Sequence, residues 1–179
     1  MNARLKILLP LSIAMAIPLS FVGCGDDGET SSSGGDAECF DYSSFDSMSP
    51  AVTFSGDVLP IFRQSCGLSA SCHQSESGPV SQPFLGPATS AGEATPAQID
   101  AIFAANVNVD AFAAPTMKIV KPGEPENSFL MHKMDGTLKC SAVTCTASCG
   151  VSMPQGSPIL GQDQRDKVRR WIAQGAKKD

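Results

Sequence analysis

Histidine, tyrosine and tryptophan are scarce in this chain, whose 179 residues include two, one and one of them. Neither histidine sits in a recognisable nucleophile motif and no G-x-S-x-G occurs, so no hydrolase constellation is present. A phosphate-cradling glycine loop is also missing, as is any internal repeat. Glu124 and Glu126 fall in the turn-like run KPGEPE and do not form a paired-carboxylate site. Acidic residues outnumber basic ones 18 to 13, and few aromatic rings are present to stack on bases. The composition therefore argues against a nucleic-acid partner. Apolar runs beyond the first 22 residues are short, and glycine, proline, serine and alanine are abundant. Such a chain is expected to be mainly α, with few helices, long irregular loops and little strand.

What is present begins with an export signal. Arg4 and Lys6 make a positive start, and Ile7 to Val22 is an apolar stretch broken by Pro10 and Pro18. It is short for a membrane span and reads as a secretory leader. It ends in Phe21-Val22-Gly23-Cys24, which resembles a bacterial lipobox. Residues 1–23 are thus expected to be removed and Cys24 to be acylated, the alternative being ordinary cleavage with Cys24 a spare thiol. Several acyl chains, at about 0.8 kcal/mol per buried methylene, hold a protein stably on a membrane. Residues 24–38 supply the anchor and a small, polar, acidic tether. Residues 39–179 suffice for one modest domain. Without Arg4 and Lys6 the chain has 11 basic against 18 acidic residues, a net charge of -7. The expected location is the cell envelope, periplasmic or on the outer surface, with the protein a lipid-anchored monomer.

Apolar periodicity places four helices. Val58, Ile61 and Phe62 share a face of a first helix over Asp57–Ser65, with Pro60 tolerated in its opening turn. Residues 74–94 read as a loop. Thr95-Pro96-Ala97-Gln98 carries a capping box that starts a second helix through Ile99, Ile102 and Phe103 to about Ala105. A short helix from Glu126 or Ser128 to Met134 is stopped by Gly136. The last helix runs from Asp163 to Gln174 and ends at Gly175. Its apolar face is Val168, Trp171 and Ile172, with Arg165, Lys167, Arg169 and Arg170 expected to face solvent. That basic cluster is a solvated face or, as a sharper reading, a dock for an acidic redox partner.

Seven cysteines stand at positions 24, 39, 66, 72, 140, 145 and 149. Setting Cys24 aside for lipid leaves an even number, suited to disulfides in an oxidising compartment. Cys72-His73 with Cys66 upstream is the pattern by which a chain holds haem covalently. Two thiols bond the ring vinyls and the adjacent imidazole ligates iron. The usual spacing is C-x-x-C-H, whereas here Gly67 to Ser71 intervene and must bulge as a loop. If Cys66 and Cys72 hold haem, Cys39, Cys140, Cys145 and Cys149 are left for two disulfides, with the partner of Cys39 open. If not, a Cys66–Cys72 staple worth roughly 2–3 kcal/mol makes a third.

Val58-Leu59-Pro60-Ile61-Phe62, Cys72-His73, Met153-Pro154 and Trp171-Ile172-Ala173-Gln174-Gly175-Ala176 together resemble the cytochrome c-like domains of exported bacterial proteins, including lipoproteins with widened cysteine spacing. The likeness spans about residues 52–179 and is weakest in the middle. It implies a cytochrome c-like fold in which the first and last helices pack together. It also implies Cys66 and Cys72 as thioether sites, His73 as proximal iron ligand and Met153 as distal ligand. A Met/His pair suits an electron carrier, not an enzyme. The function implied is a membrane-anchored, mono-haem c-type electron-transfer lipoprotein with a redox protein partner. The alternative is a haem-free, disulfide-stapled binding or scaffold module of the same fold.

Other residues compete for these roles. His132 is the alternative sixth ligand. Cys140, Cys145 and Cys149 with His132 have the types of a Cys3His zinc site, though disulfides fit an exported chain better. Met117, Met131 and Met134 read as core filler.

Overall fold

Four α-helices and no sheet organise residues 39–179, the part of the chain that the computed structural model describes. The expected leader, the lipidation site at Cys24 and the tether lie outside these residues. Helix α1 (Leu59–Ser65) continues from a π-helical turn, Phe54–Val58. Helices α2 (Pro96–Asn106), α3 (Phe129–Asp135) and α4 (Gln162–Ala173) follow. No helix among the described residues is long and apolar enough to cross a membrane.

The helix ends follow local chemistry. At α2 the capping box forms as expected: Gln98 N–H donates to Thr95 Oγ1 at 3.3 Å, and Thr95 N–H donates to Gln98 Oε1 at 3.0 Å. Gly136 ends α3 in the left-handed region, at φ 71°, where a side chain is costly. The first helical segment begins earlier than Asp57. Thr53 Oγ1 accepts the Gly56 N–H, and the Asp179 carboxylate accepts the Phe54 and Ser55 N–H groups at 2.8 and 3.1 Å. The far end of the chain thus supplies caps that the local sequence does not reveal.

The first and last helical segments are in contact, and aromatic rings fill the seam. Phe54 lies 5.4 Å from Trp171 and 4.7 Å from Phe103, measured between ring centroids, and Phe62 is edge-on to Trp171 at 6.3 Å. One cluster therefore ties the α1 segment, α2 and α4. Each such ring, fully buried, contributes about 1.5–3 kcal/mol. Met117, Met131 and Met134 are buried in the same core, as the sequence suggests.

The basic face of α4 is corrected at Arg169; Lys167 is exposed as expected, and Arg165 and Arg170 are half-buried. Arg169 is fully buried: its guanidinium grips both carboxylate oxygens of Asp135 at 2.7 and 2.8 Å, reaches Asp166, and lies 3.6 Å over the Phe40 ring. Arg165 also binds Asp135, and Lys167 pairs with Asp57 at 3.2 Å. The cause is tertiary. A Cys39–Cys140 disulfide folds the aromatic run Phe40–Phe45 back over this helix, which then needs polar partners of its own. The second disulfide, Cys145–Cys149, closes a small loop before α4. Two disulfides fit an oxidising compartment outside the cytoplasm.

Candidate functional site

Cys66 is the residue at which α1 stops, and the loop after it turns straight back. His73 N–H donates to Cys66 O at 3.2 Å, while Cys72 N–H and Gln74 N–H both donate to Ser69 O. The five intervening residues, three more than usual, therefore bulge as expected and return Cys72-His73 to the end of the helix. Gly67 makes this possible. A Cβ there would meet the Gly86 carbonyl oxygen at 2.5 Å, so only glycine lets the two backbones approach so closely. Cys66 and Cys72 are both free thiols, so the third disulfide of the haem-free alternative is not formed.

The loop over residues 74–94 does more than connect. Leu85 N–H donates to His73 O at 2.9 Å, and His73 Nδ1 lies 2.8 Å from Pro83 O. A carbonyl only accepts, so Nδ1 carries the proton and the Nε2 lone pair is left free. Arg63, buried in α1, holds the following stretch by donating to the carbonyls of Pro87, Ala88 and Gly92. Burial lowers the proton affinity of His73; the Pro83 carbonyl opposes this, and the Lys133 ammonium adds to the lowering. Burial pushes the Cys66 thiol up to about 12, with Cys72 adding to it, so the thiol stays protonated.

Cys66 and the His73 imidazole border a crevice of about 330 Å³. A smaller hollow of about 120 Å³ shares Cys66, His73 and Met153 with it and is also lined by Cys72. The crevice wall is largely apolar: Leu85, Ile119, Phe129, Leu130, Met134 and Leu160. Its size is in the range of small-molecule and cofactor sites. One buried wall atom lacks a partner. The Asn106 amide nitrogen donates to Phe84 O at 2.8 Å and Ile102 O at 2.7 Å, which leaves Oδ1 without a donor. Such an orphan costs about 1–3 kcal/mol and marks a wall suited to an occupant or water that donates.

Met153 lines the same crevice, half-buried, in the irregular stretch before α4. His132 does not line it. That ring sits 4% exposed, with Nε2 donating to Glu126 O at 3.1 Å and Nδ1 accepting from Thr137 Oγ1 at 2.9 Å. Both nitrogens are therefore committed. Cys140, Cys145 and Cys149 are all in disulfides, so the zinc alternative finds no thiolates, and no cluster of metal-holding side chains occurs among the described residues.

The sequence reading missed Pro83, Asn106 and Lys133 as parts of this site, and nothing local in the sequence marks them. Proline contributes a carbonyl that any residue has, and Lys133 is one cation among many. The chain matches no protein-family model, no curated protein and no solved structure.

Proposed function

We infer that this chain is a mono-haem c-type electron carrier of cytochrome c-like fold, exported and held on a membrane by lipid at Cys24. What carries the reading is the pair of unpaired thiols beside an imidazole whose Nδ1 is committed to the Pro83 carbonyl, at the edge of an apolar crevice. The donor set fits the group. Cys66 and Cys72 would hold the ring, His73 Nε2 would ligate iron, and Met153 would supply a thioether ligand. Bound haem supplies one-electron exchange at its iron, and a Met/His pair favours the reduced state.

The chain's own residues then do three things. Pro83 fixes the His73 tautomer and ring plane, as a carbonyl partner does for most metal-ligating histidines. Leu85, Ile119 and Phe129 give the crevice an apolar wall that disfavours water, and Met153 lines it beside His73. The remaining four cysteines, paired as Cys39–Cys140 and Cys145–Cys149, stay out of the chemistry. Held by these residues, haem would exchange electrons with a redox protein partner, a carrier's role and not an enzyme's. Of the α4 cations, Arg165, Lys167 and Arg169 are tied to Asp57, Asp135 and Asp166, and Arg170 donates to Asp46 O, which disfavours that helix as the partner's dock.

Expression with the native leader in a host that matures c-type haem tests this. A sharp α band on reduction, with an intact mass heavier by one haem, is the expected result. A colourless protein six hydrogens lighter than its reduced chain would sink the reading, provided the host still loads a control cytochrome.

A further inference from the structure

We propose that Lys133 is the positioning residue for Met153, holding the loop that carries the thioether against the crevice. The inference rests on the haem reading above and deepens it. Between Cys140 and α4 the chain has no regular structure to keep Met153 in place. Among the described residues, every hydrogen bond joining residues 147–159 to another part of the protein runs to Lys133. Its ammonium donates to Cys149 O and, at 3.0 Å, to Val151 O, while its own carbonyl accepts the Met153 N–H at 2.8 Å.

The residue suits this task. Lys133 sits on α3, whose Phe129, Leu130 and Met134 form the crevice wall, so the clamp is referenced to a rigid element. The Cys145–Cys149 disulfide stiffens the loop just before the first carbonyl that the ammonium takes. No carboxylate is paired with Lys133 among the described residues, so its charge is spent on carbonyl dipoles of this one loop. Donors that are ionised form about twice as strong a bond as neutral ones. Met153 can then be presented without any helix or strand beneath it.

The test compares the parent chain with K133A, K133M and K133R, all made with the native leader in the haem-maturing host. K133M keeps a long unbranched apolar side chain and removes the ammonium, including its contact with the Phe129 ring at 5.4 Å, so it separates loss of the cation from loss of packing. Hydrogen exchange at the Met153 amide is the readout that needs no haem. Its protection is expected to fall about ten- to a hundred-fold in K133A and K133M, the loss of one or two charge-assisted bonds, and to persist in K133R. In the haem-loaded proteins the near-infrared thioether-to-iron band should vanish in K133A and K133M. Carbon monoxide should bind the reduced form of both more tightly, and K133R should restore the parent spectrum. Unchanged Met153 protection in K133A and K133M overturns the role of Lys133. A parent chain without haem overturns the haem reading alone, and the exchange data then still decide on Lys133.

Discussion

Tyr42 is the only tyrosine, so the change in tyrosinate absorbance with pH reports on this one group. It is packed in the aromatic run that covers Arg169, and its phenol is pushed up to about 12, first by burial. The Arg169 cation opposes that rise, while Asp135 and Glu126 add to it. The folded state therefore keeps the proton longer than the unfolded chain, whose phenol titrates near its usual 10.0. Stability from this group is intact below pH 10 and is lost as pH rises from there to about 12. Tyrosinate absorbance should be absent from the native protein at about pH 10.5 and half-developed near pH 10 in concentrated urea. Equal titration in both conditions would mean that the Phe40–Phe45 run does not cover α4. Arg169 shows the same point from the other side. A residue type that is almost always exposed is fully buried here because two carboxylates and an aromatic face take the place of water.

Among the elements, the turn from α1 into the Cys66–His73 loop is the most demanding. The widened spacing is accommodated by a bulge, and the bulge depends on Gly67 lying against the Gly86 backbone. Gly67→Ala sets a methyl group against a main-chain oxygen, so one segment has to move. A loss of about 1–3 kcal/mol in urea unfolding is expected, the usual cost of overpacking. Faster exchange of the Leu85 amide, whose acceptor is His73 O, should accompany it. Wild-type stability in this variant would show that the two segments are not in close contact. The α2 helix needed no such tertiary help, since Thr95, Pro96 and Gln98 carry their own start signal.

At the scale of the whole molecule, the Cys39–Cys140 disulfide closes a separation of 101 residues. In the chain-entropy account a cross-link of that span stabilises by about 4–5 kcal/mol, with measured values commonly lower. The double variant C39S/C140S should lower the urea midpoint by far more than C145S/C149S, whose separation is 4. Because the same bridge holds the aromatic run on α4, Tyr42 should also titrate closer to 10 in C39S/C140S. An unshifted Tyr42 there would mean that the aromatic packing on Arg169 is sufficient without the bridge.

Sequence by itself determined the helices and named residues that meet at the crevice and hollow. Periodicity at Val58, Ile61 and Phe62, the capping box at Thr95 and the stops at Gly136 and Gly175 are local signals, each written within a turn or two of chain. Cys66, Cys72, His73 and Met153 stood out in the sequence because their chemistry is specific; all four line the small hollow, and all but Cys72 also line the adjoining crevice. The tertiary structure alone decided which cysteine joins Cys39, that Arg169 turns inward, that the Pro83 carbonyl meets His73 and that Lys133 meets the loop carrying Met153. Those outcomes depend on backbone carbonyls and on long-range contacts. A carbonyl is the same at every residue, so only its place in space tells which one a side chain will find.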